Sequence, residues 1–329
     1  MFSVLCLFLA FSSVASIAYA DDVTVHVEGS RLMIEGGPRN DNLQVVENRD
    51  RIYVIPGDGT TLNGQNRHLQ YSIGTGTKNP LTRIEIDLGG GKNEVEMRDV
   101  RGFKYIEVLT QGVGDTIQLE DCFAEVECYV EIMGMGTITA DNVTAGSMSL
   151  VAPIVKGRKL SGHLAQLIGL DLSATDCSTT FSVGTEIDPD EFPDWAIAWF
   201  ESSYRIRMED IVSPRIRVKA RLEFWEHTDI DLRNIFGEEF DVFCGDATEN
   251  VVMDSIYGDS ISVSVDDSTD TESVELKNSV FDTAIIRFDE SIAKATIENC
   301  QIGTLTIDAD EADGSTIHVD RSNLSLIHI

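Results

Sequence analysis

The side chains with the greatest capacity for chemistry are carboxylates, and they come in groups at repeated distances. Toward the C-terminal end they fall as Asp246 and Glu249, then Asp266, Asp267, Asp270 and Glu272, then Asp289 and Glu290, then Asp308, Asp310, Glu311 and Asp313. The first members of successive groups are 20, 23 and 19 residues apart. If a stacked fold aligns them, carboxylates about 5 Å apart repel by roughly 1 kcal/mol in water and about 3 kcal/mol at an effective dielectric of about 20. A hard cation relieves that repulsion, and calcium takes oxygen ligands of this kind. The expected ligands are Asp266, Asp267, Asp270, Asp308, Asp310 and Asp313. The competing reading is a solvated acidic edge that keeps strands from pairing with foreign ones.

Asp308 to Ser315 begins like an EF-hand loop, but one residue too many separates Asp310 from Asp313 and no Glu closes it. Other chemistry finds little footing. Nucleophile and zinc motifs are absent, and His163 and His227 stand alone. The cations on the C-terminal stretch, Lys277, Arg287, Lys294 and Arg321, follow no repeat. A glycosidase needs two carboxylates at a set separation, and with 56 acidic residues a pair proves nothing. The mature cysteines Cys122, Cys128, Cys177, Cys244 and Cys300 are odd in number and irregularly spaced, so they read as buried thiols rather than a disulfide framework.

A recurring unit, apolar-x-apolar-x-Asp/Asn, must position these groups. It stands at Val95-x-Met97-x-Asp99, Ile117-x-Leu119-x-Asp121, Ile138-x-Ala140-x-Asn142, Ile230-x-Leu232-x-Asn234, Val274-x-Leu276-x-Asn278 and Ala295-x-Ile297-x-Asn299, with Asp254 and Asp320 in the same place to within one residue. Alternation buries one face of a strand, and Asp or Asn tolerates the backbone of a sharp corner. Repetition at roughly 20 to 24 residues predicts an all-β fold, a right-handed parallel β-helix (β-solenoid), with Asn side chains laddered along it. Residues 176–214 break the register and predict an insertion with a short helix, capped by Asp194 and carrying Trp195 and Trp199. The expected divisions are 1–20, 21–80, 81–175, 176–214 and 215–329.

Residues 1–20 are apolar and end in Ala18-Tyr19-Ala20, which predicts a cleaved signal peptide, export to the medium or cell surface, and no transmembrane segment. The 329-residue chain carries a net charge of −31, which disfavours nucleic acid as a partner and favours cations and basic surfaces.

The stretches Ile34 to Gly64, Leu81 to Met97 and Thr110 to Asp121 resemble degenerate haemolysin-type (RTX-like) repeats of secreted bacterial β-solenoid proteins. Gly36, Gly37, Asp41 and Leu43 match the first copy, Gly89, Gly91 and Val95 the second, and Gly112, Gly114, Asp115 and Ile117 the third. The resemblance implies calcium between successive turns. Arg39, Leu88 and Asn93 depart from the pattern, and the copies are too far apart for two repeats per turn, which implies that most such sites are lost. Residues 215–329 resemble generic right-handed β-helix coils.

The expected function is a secreted or cell-surface, non-catalytic solenoid that serves as a structural or adhesive module, with calcium as a stabiliser and a glycan or basic surface as partner. The alternative is a carbohydrate-active β-helix enzyme, a polysaccharide lyase or glycosidase, marked by a groove with aromatics and a carboxylate pair. The last segment, Asn323 to Ile329, alternates as a strand and predicts end-to-end self-association through the C-terminal coil.

Overall fold

The computed structural model describes residues 21–73, 80–169, 171–184, 204–213, 215–220, 228–244, 248–265, 272–288, 293–309 and 316–328. Alternation sets the strands. In Arg83–Leu88 the side chains of Ile84, Ile86 and Leu88 are buried, while Arg83, Glu85 and Asp87 face outward. Burying such a side chain contributes about 1.5–3 kcal/mol. A single pair of strands cannot bury this face, so the chain winds into stacked turns.

Each turn supplies one strand to each of two parallel walls. In the first wall Phe103–Thr110 lies between Arg83–Leu88 and Phe123–Ile132. In the second, Asp115–Glu120 lies between Glu94–Arg98 and Gly136–Asp141. The relation continues to Asn323–His328 on the first wall and Thr316–Asp320 on the second. The long strand Thr248–Val265 crosses both: Val251 pairs with Ile230 and Val274, and Ile261 with Phe240 and Ala284. This is the all-β parallel solenoid expected from the repeat, and the described residues contain no helix.

The corner after each second-wall strand explains the Asp/Asn of the repeat. Asp99, Asp121, Asn142, Asp176, Asp210, Asn234, Asn278 and Asn299 all have φ between 49° and 56°, the left-handed region that short polar side chains tolerate best. The ladder forms in part. Asn142 donates to Asp121, Asn278 to Asp254 at 2.8 Å, and Asn299 to Asn278 at 2.7 Å. The corner residues of two turns are Ser255 and Arg321, one position after the expected Asp254 and Asp320.

Turn length varies more than the repeat indicated. Stacked pairs are 22 residues apart at Asn93 and Asp115 and 23 at Asp254 and Lys277, but only 17 at Thr144 and Ser161. Lys159 holds the left-handed corner of that short turn, with φ 53°. Further on, Leu172 pairs with Ile206, a step of 34 residues. Within the span expected as an insertion, Ser178–Gly184 and Tyr204–Val212 are wall strands in register with their neighbours. Residues 185–203, with Asp194, Trp195 and Trp199, lie outside the described residues.

The N-terminal layer has a different polarity. Asp21–Glu28 pairs antiparallel with Arg31–Glu35, and Asn42–Asn48 with Arg51–Pro56, while Arg31–Glu35 and Asn42–Asn48 stack in parallel on the walls. The two hairpins turn at Gly29 and Arg49, which have φ of 63° and 62°. Asn63 closes part of the outer edge, accepting from Val25 N–H and donating to Val25 O, both at 2.8 Å. Glu47 fastens the second hairpin to the wall by accepting both Arg101 and Gly102 N–H at 2.6 Å. No helix among the described residues is long and apolar enough to cross a membrane.

Candidate functional site

Of the six expected calcium ligands, Asp308 alone belongs to the described residues; Asp266, Asp267, Asp270, Asp310 and Asp313 lie outside them. Asp308 ends the strand Gln301–Asp308, and its register partner on the preceding rung is Arg287, a cation. It therefore stands in the wall and not in a loop. The described residues contain no gathering of three or more His, Cys, Asp or Glu side chains fit for a metal.

The glycine-rich segments stack at one corner, where first-wall strands pass into second-wall strands. The flanking register puts Asp41, Asn93 and Asp115 on successive rungs, and all three side chains are buried. Asp115 accepts Asn93 N–H at 2.7 Å and Gly112 N–H at 2.8 Å on its two oxygens. Asn93 accepts Asp41 N–H at 3.0 Å, and its amide donates to Gly89 O at 2.9 Å. The glycines are needed for contact between turns: a Cβ on Gly112 would stand 2.0 Å from Gly91 O, and one on Gly134 2.1 Å from Gly112 O. A cation at this corner would need carbonyl and carboxylate oxygens turned toward it. Here the Asn93 amide donates to the Gly89 carbonyl and backbone N–H groups donate to both oxygens of Asp115, so Asn93 presents a donor where calcium needs an oxygen and the carboxylate is already shared with the backbone.

The thiols form a second set of buried polar groups. Cys122, Cys177 and Cys300 follow the left-handed corner residue and point inward. Each bonds to backbone: Cys177 Sγ donates to Thr175 O at 3.0 Å, and Cys300 Sγ to Glu298 O at 3.2 Å and to Leu276 O of the preceding turn at 3.3 Å. Ser279 and Ser322 fill the same position with the same bond, donating to Lys277 O and Asp320 O. The residue is thus a corner plug as well as a small apolar filler. Burial pushes the Cys122 and Cys177 thiols up to about 11, against the opposing pull of backbone hydrogen bonds. Burial also raises Cys128 and Cys300. Such thiols are neutral and non-nucleophilic at physiological pH. Because the native thiols keep their protons where unfolded ones release them, their contribution to stability is complete below the ordinary value of 9.0 and is lost as pH rises through about 11. Alkylation with iodoacetamide at pH 8, read by mass spectrometry, should leave these cysteines unmodified in the native protein and label all of them in denaturant. Rapid native labelling of Cys122 or Cys177 would refute this account.

Among the described residues a concave feature of the wall lies elsewhere. One turn of this acidic chain carries cations on both walls, with Arg205 and Arg207 ahead of Glu209 and Asp210 on Tyr204–Val212, and Arg215, Arg217 and Lys219 on Arg215–Ala220. The next turn answers with acid. Register sets Arg205 beside Asp229, Arg207 beside Asp231, and Glu209 beside Arg233 on the second wall. On the first wall Arg215 pairs with Glu239, and Arg217 with Asp241 at 3.8 Å. A cleft of about 370 Å³ opens on the second wall among Arg205, Arg207, Asp229, Asp231, Arg233 and Asn250, and Val252 also lines it.

Val252 stands in one outward row between Asp231 and Glu275, an apolar side chain among polar ones. Around it most charges are already engaged. Arg233 donates to Asp231 at 2.7 Å, Arg207 to Glu209 at 3.0 Å, and Asn250 to Asp229 at 3.2 Å. Ser273 donates to Asn250 at 2.6 Å, which fixes the amide. Arg205 is exposed and has no ion pair or hydrogen bond among the described residues. The sequence reading missed this group, although its signal was there: Arg205-x-Arg207 and Asp229-x-Asp231-x-Arg233 alternate with buried Ile206, Ile230 and Leu232. No protein-family model, curated protein or solved structure matches this chain.

Proposed function

We propose that the chain is an exported, non-catalytic β-solenoid with right-handed turns that serves as a structural or adhesive module at the cell surface. The handedness rests on the strong general preference of parallel crossover connections. The observation that carries the reading is the way the outward groups pair along the walls rather than converging on a reacting centre. Arg83 bridges Glu85 at 3.1 Å and Glu107 at 3.8 Å and lies over the Tyr105 ring at 4.4 Å. Arg98 joins Glu96 and Glu120, Lys277 joins Glu275, and Arg321 joins Glu298 and Asp320. Exposed pairs like these contribute up to about 1 kcal/mol each. They make a long, rigid, hydrophilic surface that suits contact with an extended partner.

The enzyme alternative calls for a groove with aromatics and a carboxylate pair. The cleft has Asp229 and Asp231, but its lining among the described residues contains no aromatic side chain. The exposed aromatic pair, Phe236 and Tyr257, stacks face to face at 4.9 Å and 9°, so those two ring faces meet each other instead of a sugar. One experiment separates the readings. Purified protein starting at Asp21 is incubated with insoluble polysaccharides, and both retention and release of reducing ends or unsaturated products are measured. Retention without release is expected. Release that scales with protein concentration would establish the enzyme, and absence of retention on every polymer would remove the adhesive reading.

A further inference from the structure

We propose that the cleft around Arg205 binds an acidic saccharide unit, a sugar ring that carries a carboxylate. This deepens the adhesive reading and rests on it for its biological meaning.

The net charge of −31 speaks against anionic ligands for the molecule as a whole, but fields act locally and a charge is screened within about 8–10 Å in physiological salt. Within that distance three guanidinium groups, Arg205, Arg207 and Arg233, stand beside the carboxylates of Asp171, Asp229, Asp231 and Glu209, so directed guanidinium donors rather than net charge would hold an anion. Arg205 and Arg207 point outward from the same strand two residues apart, with Arg233 on the neighbouring rung. Arg205 is uncommitted among the described residues, and Arg207 spends one amino group on Glu209. A guanidinium has five donors in a planar fork, so both arginines retain donors that match a carboxylate.

The remaining groups suit hydroxyls. Among the described residues Asp229 accepts a single bond, at 3.2 Å from Asn250, which leaves acceptor capacity on a carboxylate that has about four lone-pair sites. Vicinal hydroxyls of a pyranose can donate to both its oxygens. Val252 offers an apolar patch for the C–H face of a ring. A bare oxyanion would use the arginines and gain nothing from Asp229, which would repel it. A neutral sugar would leave Arg205 unmatched. A ring with both a carboxylate and hydroxyls is the class that uses the arginines, Asp229 and Val252 together.

The test follows arginine side-chain N–H resonances of the protein from Asp21 onward, with the Arg205 signal assigned from Arg205→Gln. Sodium glucuronate is the probe, methyl glucoside the neutral ring and sodium sulfate the bare oxyanion. Glucuronate should shift the Arg205 signal with a midpoint near about 1 mM, typical of a shallow one-ring site, and methyl glucoside should not. Sulfate should bind at least about tenfold more weakly, one factor of ten being about the worth of a single charge-assisted bond. Arg205→Gln, an exposed change that leaves circular dichroism and melting unaltered, should weaken glucuronate by a similar factor. Absence of any shift with glucuronate overturns the proposal. So does sulfate binding as tightly as glucuronate, which would mean a simple oxyanion site, and so does full affinity in Arg205→Gln. The adhesive reading fails separately: polysaccharide retention that persists in Arg205→Gln keeps it and removes the cleft, whereas glucuronate binding without retention keeps the cleft and removes adhesion.

Discussion

Gly112→Ala is expected to destabilise the protein by about 3 kcal/mol or more, while Gly90→Ala on the preceding turn of the same glycine-rich corner is expected to change stability by less than about 1 kcal/mol. The difference lies in what each new methyl group meets. At Gly112 the Cβ would be 2.0 Å from Gly91 O and 2.5 Å from the Asp115 carboxylate, whereas at Gly90 the nearest atom is Pro38 O at 3.6 Å. Relief at Gly112 requires the turns to part. That would break the Val113 N–H to Gly91 O bond of 2.9 Å and disturb the two N–H groups on Asp115. A buried carboxylate left without its donors costs more than the bonds alone contribute. Urea unfolding monitored by circular dichroism measures both variants. Equal midpoints for the two would show that the corner is loose.

Phe240→Ala is the second large effect, about 3–5 kcal/mol from lost burial and the cavity left behind. Phe240 is 2% exposed and meets Phe281 edge to face at 5.9 Å and 82°. Its ring fits because two glycines lie against it. A Cβ on Gly258 would come within 2.4 Å of the ring and one on Gly237 within 3.0 Å. The loss should also be local, because each turn of a solenoid contacts only its neighbours and stability is close to a sum of nearest-neighbour terms. Hydrogen exchange read by mass spectrometry should show lost protection in Thr228–Phe236, Glu239–Cys244, Thr248–Val265 and Val280–Phe288, with Phe103–Thr110 and Phe123–Ile132 unchanged. Uniform loss along the whole chain would contradict this locality.

Where the corner chemistry was regular, the walls were legible from residue pattern. The Asp/Asn corner could be read because the left-handed conformation selects few side chains, and alternation at Ile117-x-Leu119 or Val274-x-Leu276 fixed which face was buried. Lys159 concealed the short turns because a long cation in that conformation carries no signature, and Gly157 stands where the pattern has an apolar residue. The N-terminal hairpins were hidden for a related reason: Gly29-Ser30 and Arg49-Asp50 are less telling than the Asn-Gly or Asp-Gly pairs sought. The outward alternation of the cleft residues was visible in the sequence, but their meeting in one place could not be read from spacing alone. Arg205, Asp229 and Asn250 become neighbours through parallel register across turns of unequal length, and a one-residue error in any turn would send a side chain to the other face.

The step from Leu172 to Ile206 has a broader consequence. Asp171 through Thr175 pair residue for residue with Arg205 through Glu209, and Phe181 through Gly184 with Ile216 through Lys219, although this turn takes about twice the chain of the ones before it. The walls keep their own count and ignore how much chain passes between them at that corner. Evolution can therefore lengthen, shorten or exchange what is carried there without renegotiating the scaffold, much as goods change on a shelf whose uprights stay fixed. The same site is a natural place to graft a foreign loop.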